Sequence, residues 1–178
     1  ALSPFNAPLV LLVKMVAFPL AAGNAVVAKP SEETPLVALA LGRILFEAGF
    51  PAGVFNVVTG MGTEAGVALV EHPGVDAITF TGSTRVGLEI AQTAAKRLAR
   101  VHLELGGKNP VIVLADADLD DAVEKVVMGG FLHAGQICMA SARIIVEQPI
   151  ARAFVEKLTA RAQRIFLGGL RGPRTLYG

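Results

Sequence analysis

The sequence predicts an α/β fold in which a parallel sheet carries helices on both faces and runs into the first part of a second α/β domain. Two observations predict it. Short β-branched runs alternate with longer segments of helical apolar period, and glycine or proline punctuates nearly every junction. Parallel neighbours need a crossover between them, and a helix is the usual one, so repeated strand–helix units imply a doubly covered sheet.

The elements follow in order. Leu9 to Ala22 is an apolar run broken by Lys14 and Pro19, and reads as a buried helix. Val26–Ala28 is a short buried strand closed by Lys29-Pro30. Thr34 and Pro35 start a helix with Val37, Leu41, Ile44, Leu45 and Ala48 on one face, and Gly49 and Pro51 stop it. Val54–Val58 is the next strand, Gly62–Val70 a short helix and Ala77–Thr81 a third strand. The helix after Gly82 aligns Gly87, Ile90, Ala91, Ala94 and Leu98, with Lys96, Arg97 and Arg100 near its negative pole. Val101–Leu105 alternates, setting Val101, Leu103 and Leu105 opposite His102 and Glu104. Val111–Leu114 is a further strand, Asp116–Phe131 a helix and, after the Cys138 loop, Arg143–Val146 a strand. Repeats, low-complexity tracts and flexible linkers are absent from the sequence.

Composition narrows the function classes. Sixteen basic residues against fifteen acidic ones give a net charge of +1 and no stripe to hold a polyanion, which argues against nucleic acid. A mean hydropathy of +0.57 raises the question of a membrane span. The Leu9–Ala22 run falls short of the ~20 apolar residues a bilayer demands, so no membrane partner is expected. Neither a basic leader nor a cleavage site is evident, and a single cysteine cannot form an internal disulfide; both suit a cytoplasmic protein. The chain opens at Ala1 without methionine, which reads as a piece of something longer.

Several residues carry chemistry. Phe80-Thr81-Gly82-Ser83-Thr84 with Gly87 places a strand end, a glycine turn and a helix start in succession, where backbone N–H groups and the helix dipole can hold a phosphate. The spacing is not GxGxxG, and a plain tight turn with close helix packing would give the same pattern. Lys29-Pro30-Ser31-Glu32 offers an ammonium and a carboxylate to ribose hydroxyls, or is a solvated charge pair. Cys138, in Gly135-Gln136-Ile137-Cys138-Met139, is either a buried small hydrophobe or an exposed nucleophile. Glu104, in an apolar strand just before Gly106-Gly107, is costly to bury unless paired or used, with His102 or Lys108 as structural partners. Apolar surroundings would also make it a better base. His133 resembles a base for Cys138, but it is expected in a helix, where it packs or caps.

Five motifs together resemble the aldehyde dehydrogenase superfamily: Pro4-Phe5-Asn6-Ala7-Pro8, Lys29-Pro30-Ser31-Glu32, Phe80-Thr81-Gly82-Ser83-Thr84, Leu103-Glu104-Leu105-Gly106-Gly107-Lys108 and Gly135-Gln136-Ile137-Cys138. Their order and the Glu104–Cys138 interval match the family, and the resemblance covers almost the whole chain. It implies a Rossmann-like cofactor-binding part over 1–107 and the start of a catalytic domain over 108–178. It further implies Cys138 as nucleophile, Glu104 as general base for hydrolysis of a thioester, and Asn6 as oxyanion donor. Lys29, Ser31 and Glu32 match the adenosine-ribose contacts, Gly82, Ser83 and Gly87 the pyrophosphate turn, and Leu105 with Gly106 the nicotinamide side. NAD is the implied cofactor, with NADP also accepted by many relatives, and no metal is required.

The resemblance also bears on substrate and assembly. Pro4-Phe5-Asn6, Lys14 and Phe131-Leu132-His133 are similar to the branch acting on benzaldehyde, vanillin or salicylaldehyde, so a small aromatic aldehyde is the expected partner, in a homo-oligomer. Ala7 and Ala134 depart from the residues usual at their positions and would reshape a substrate tunnel. The chain ends at Tyr177-Gly178 before the family's later nicotinamide-ribose motif, which implies an incomplete enzyme whose isolated activity is doubtful. Two other readings stay open: an inactive nucleotide-binding remnant, and an acylating enzyme that resolves the thioester with coenzyme A. The carboxylate at Glu104 disfavours the second.

Overall fold

The computed structural model describes residues 1–169 and Gly172; the expectations that reach Tyr177-Gly178 lie outside the described residues. The chain divides into two compact units, Ala1–Gly106 and Gly107–Gly178.

In the first unit, β1 (Val26–Ala28) pairs in parallel with β2 (Phe55–Val57), and β3 (Ala77–Gly82) with β4 (Arg100–Leu105). A short N-terminal segment joins the two pairs. Leu2 bridges Lys29 on one side and Phe80 on the other, both in parallel. The Leu2 N–H donates to Thr79 O at 2.8 Å, Thr81 N–H to Leu2 O at 3.2 Å, Ser3 N–H to Lys29 O at 3.1 Å and Lys29 N–H to Ala1 O at 2.8 Å. The order across the sheet is therefore β2, β1, Ala1–Ser3, β3, β4, all parallel. The chain starts in the middle, winds outward to β2, then returns to the other side through β3, which is the doubly wound, Rossmann-like arrangement.

Helices cover both faces. Ala1 packs into a core of Leu12, Met15, Val16, Val26, Ala28 and Ala38, where α1 (Pro8–Ala21) and α2 (Pro35–Glu47) meet the sheet. Its neighbour Leu2 belongs to a second core with Ile78 of β3 and with Val70, Ile90 and Ala94, supplied by α3 (Val67–Glu71) and α4 (Thr84–Ala95). Adjacent residues of an extended segment point to opposite faces, so the two cores lie on opposite sides of the sheet.

Several element expectations need correction. The apolar run 9–22 is a helix, but α1 buries only Leu12, Met15 and Val16, and Phe18 is 82% exposed. On α2 the buried face centres on Ala38, with Leu41 packed beside it, whereas Ile44 and Ala48 are exposed. Thr34 occupies the N-cap position of α2 without capping it: its hydroxyl is buried and makes no hydrogen bond. The C-terminal stop works as read from the sequence. Gly49 adopts φ +88°, and Phe50 N–H to Leu45 O with Gly49 N–H to Phe46 O close a Schellman pair. Leu98 lies beyond α4, at φ 57° and 92% exposed, so it belongs to no buried face. Arg97 does not merely sit near the helix pole; its guanidinium donates to Val75 O and, at 2.9 Å, to Val70 O, satisfying carbonyls at the end of α3 and just beyond it.

In the second unit β5 (Asn109–Val113) pairs in parallel with β6 (Ser141–Val146). Asp118 caps α5 (Leu119–Phe131), accepting from Asp120 N–H and Asp121 N–H. A further helix, α6 (Gln148–Ala162), has no counterpart among the sequence-derived elements, although Ile150, Phe154 and Leu158 recur at helical spacing. Phe154, fully enclosed, packs in a cluster with Val113, Val123, Val126 and Val127. Lys157 pairs with Asp120, and Arg161 with Glu124 at 2.6 Å, holding α6 to α5. Among the described residues no helix is long and apolar enough to cross a membrane.

Truncating Phe154 removes an enclosed ring from the middle of this cluster. Phe154→Ala is expected to cost about 3–5 kcal/mol of unfolding free energy. Urea denaturation followed by circular dichroism measures it; a loss below about 1 kcal/mol would show that the cluster does not depend on that ring.

Candidate functional site

The first unit gathers its candidate residues at one edge. All five strand segments run the same way, so their carboxyl ends lie together. Lys29–Glu32 follow β1, Asn6 follows the Ala1–Ser3 segment, Gly82 and Ser83 end β3, and Glu104 to Gly106 end β4. Ligands of open α/β sheets bind beyond the carboxyl ends, where the strand order reverses, and here that point lies between Ala1–Ser3 and β3.

Lys29 is 5% exposed while the Glu32 side chain is 41% exposed, so the charge pair is solvated on its carboxylate side only. Its ammonium donates to Glu32 Oε2 at 3.1 Å. Glu32 itself is held below the ordinary glutamate value of 4.5, first by a backbone hydrogen bond and then by Lys29. Ser31 faces its own loop, its Oγ accepting from Glu33 N–H at 3.3 Å. Two hydroxyls near this edge, on Ser3 and Thr34, are buried without a partner.

At the end of β3, Ser83 takes the N-cap of α4 and accepts from Val86 N–H at 3.4 Å. Its proton remains available to a ligand oxygen. Gly82 and Gly87 have packing reasons. A Cβ on Gly82 would meet the Phe80 ring at 2.4 Å, and one on Gly87 would meet Leu105 Cδ2 at 2.6 Å. Gly87 thus sets how closely α4 lies on β4, and with it the height of the helix N-terminus over the sheet edge. Leu105 is held by that packing, and Gly106 follows it directly.

Glu104 corrects an expectation. It is 65% exposed and sits 3.7 Å from His102 Nε2. Burial in an apolar strand is therefore absent within this chain, and with it the desolvation argument for a stronger base. Asn6 is half-buried in the bend between the Ala1–Ser3 segment and α1.

The second unit holds Cys138, which is exposed and so is not buried filler. It occupies the first corner of a turn closed by Ala140 N–H to Ile137 O at 3.0 Å. His133 neither packs in a helix nor caps one. It is exposed, with φ 52°, and opens a left-handed run continued by Ala134 at φ 58° and Gly135 at φ 71°. Only glycine adopts that region without strain, so the run breaks the chain sharply out of α5 before the cysteine turn. A concavity of about 510 Å³ lined by Val126, Phe131, Ser141, Ile144 and Leu158 lies elsewhere in the unit and does not include Cys138. Among the described residues no group of three or more His, Cys, Asp or Glu could hold a metal.

The sequence pattern of the aldehyde dehydrogenase family matches residues 1–178. The chain belongs to that family. It is 50% identical over 165 residues to hydroxyisobutyraldehyde dehydrogenase of Mycolicibacterium austroafricanum, covering 93% of this chain and 33% of that protein. It is 49% identical over 178 residues to 2-hydroxymuconic semialdehyde dehydrogenase of Pseudomonas putida, covering 99% and 37%. The NAD-dependent aldehyde dehydrogenase of Sinorhizobium meliloti superposes with a TM-score of 0.97 at 42% identity, covering 99% of this chain and 35% of that one. Betaine aldehyde dehydrogenase of Staphylococcus aureus, solved with NAD⁺, gives 0.97 at 40% identity over the same shares. The chain spans about a third of the length of these relatives. The aldehyde dehydrogenase fold thus accounts for the doubly wound first unit.

The Glu32 arrangement has a pH signature. A carboxylate held below 4.5 in the folded state stabilises the fold fully above that value, and its contribution is lost as pH falls through the lower folded-state value. Glu32→Gln should therefore flatten part of the acid limb in a melting-temperature profile between about pH 6 and 3. Parallel profiles for the two proteins across that range would show that the fold does not hold the Glu32 carboxyl below its ordinary value.

Proposed function

We propose that the chain carries the cofactor-binding and nucleophile-bearing parts of an enzyme that oxidises an aldehyde to a carboxylic acid with NAD. The observation that carries this reading is Cys138: a lone cysteine, exposed at a turn corner, in a chain of the aldehyde dehydrogenase family. Residues 1–107 serve the cofactor and 108–178 begin the catalytic domain.

In this reading the Cys138 thiolate adds to the aldehyde carbon, and the Asn6 amide with the Cys138 backbone N–H stabilises the resulting oxyanion. The cofactor supplies a hydride acceptor. Collapse leaves a thioester on Cys138, and Glu104 takes a proton from the water that hydrolyses it. The exposure of Glu104 supports that role, since a base for water must be reachable by water. An acylating route has no need of such a carboxylate.

The residues present fit NAD. Lys29 and Glu32 would hold the ribose of the adenosine half, with Ser31 in the same loop, Gly82, Ser83 and Gly87 would form the pyrophosphate turn, and Leu105 with Gly106 would serve the nicotinamide side. The negative charge of Glu32 repels a 2′-phosphate, which favours NAD over NADP. Phe5, half-exposed next to Asn6, offers a ring face to an aromatic aldehyde. A free thiol nucleophile suits a reducing, cytoplasmic location, and the complete enzyme is a homo-oligomer in this reading.

The two halves of the reaction separate by mutation in the product of the complete reading frame. Cys138→Ala should abolish both NADH formation and acid formation. Glu104→Gln should keep a pre-steady-state burst of NADH while steady turnover falls by about 10²–10⁴-fold, and the burst should be slower with NADP than with NAD. Undiminished steady turnover in Glu104→Gln would remove Glu104 from the mechanism.

A further inference from the structure

Asn109 lies at the start of β5, in the second unit, and none of the five motifs gives it a role. Its side-chain Nδ2 donates to the Cys138 carbonyl at 2.6 Å and to the Ala140 carbonyl at 3.2 Å. Carbonyls only accept, so the amide must present its NH₂ group to the turn, and its two hydrogens are enough for both bonds.

The surrounding backbone explains why a side chain is needed there. Asn109 pairs with Ser141, but Pro110 pairs with Arg143, so β6 carries one extra residue, Ala142, at this point. Pro110 has no N–H to contribute to the ladder. Regular pairing therefore fails where the chain passes from the Cys138 turn into β6, and the Asn109 amide bridges the gap. Upstream, the turn follows the left-handed run His133–Gly135, which costs strain at two non-glycine positions. One internal bond, Ala140 N–H to Ile137 O, closes the turn. Asn109 ties its first corner and its exit to a strand.

We infer that Asn109 is a positioning residue for the nucleophile: by holding the carbonyls of Cys138 and Ala140 it fixes the turn that orients the Cys138 sulfur for attack. This rests on the reading of Cys138 as nucleophile. It also gives Asn109 a reason to differ from the charged and glycine residues before it: Asp would repel both carbonyls, and Ser could not reach two at once.

The test uses the product of the complete reading frame in single-turnover kinetics. Single turnover with enzyme in excess over aldehyde counts competent sites by its amplitude and reports how well each site attacks by its rate constant, free of deacylation. Asn109→Ala should lower that rate constant by about 10- to 100-fold, with the single-turnover amplitude per folded site and the KM for NAD kept, because misplacing a nucleophile by about 1 Å has effects of that size. Asn109→Gln, which keeps the amide on a longer arm, should recover part of the rate. If Asn109→Ala does not fold, Asn109→Ser is read in the same way. A single-turnover rate constant within twofold of the unaltered enzyme, whatever the amplitude, would overturn the inference. Cys138→Ala separates the two levels: if it is inert while Asn109→Ala attacks at full rate, only the positioning role fails, and if it still forms NADH, the nucleophile assignment itself fails.

Discussion

The hydrogen bonds made by Ala1–Ser3 are the constraint on which the first unit depends. Without them β1–β2 and β3–β4 would be separate two-stranded ribbons, each with an unpaired apolar edge. With Leu2 bonded between Lys29 and Phe80 they become one parallel sheet. The same three residues divide the core, since Ala1 faces the α1–α2 side and Leu2 the α3–α4 side. They also create the reversal of strand order beside which the Lys29–Glu32 loop, the Ser83 helix cap and Glu104 all emerge. The site residues of this unit share an edge because the strands are parallel, and the strands share a sheet because this segment joins them.

Within that frame, close packing positions the chemistry. Gly87 lets α4 settle against Leu105, and a Cβ there would meet Leu105 Cδ2 at 2.6 Å, so that side chain would have to move. Lys29 is buried, and its ammonium has a partner in Glu32 at 3.1 Å. In the second unit the Val113, Val123, Val126, Val127 and Phe154 cluster packs α5 and α6 against the β5–β6 pair and ion pairs join α6 to α5, while the segment between α5 and β6 leaves regular structure altogether. Cys138 is exposed because it lies in that irregular stretch.

Much of this was legible in the sequence. Periodicity placed β1, β3 and β4 to within a residue and the start of α4 after Gly82, but ran α4 on past its end at Ala95; Gly49 marked a helix end because only a left-handed residue closes it cheaply. The Ala1–Ser3 segment was not legible: three residues carry no period, and their extended state comes from partners 27 and 78 positions away in sequence, Lys29 and Phe80. Ile44 and Leu98 were misassigned for a related reason, as apolar character at helical spacing does not say which apolar residues find a neighbour. Thr34 has the right type for a cap but its hydroxyl is turned away. Among the candidate site residues, motif order identified the family, yet it could not show that Glu104 is exposed or that Asn109 reaches the Cys138 turn, because both are matters of side-chain direction.

The central claim is that Cys138 forms a covalent bond to the substrate during oxidation. Rapid quenching of the complete protein in acid a few turnovers after mixing with NAD and an aromatic aldehyde, followed by peptide mass spectrometry, tests it directly. The expected result is an acyl group on the peptide containing Cys138, accumulating further in Glu104→Gln. NADH production with the Cys138 peptide unmodified at every time point, in both proteins, would contradict it.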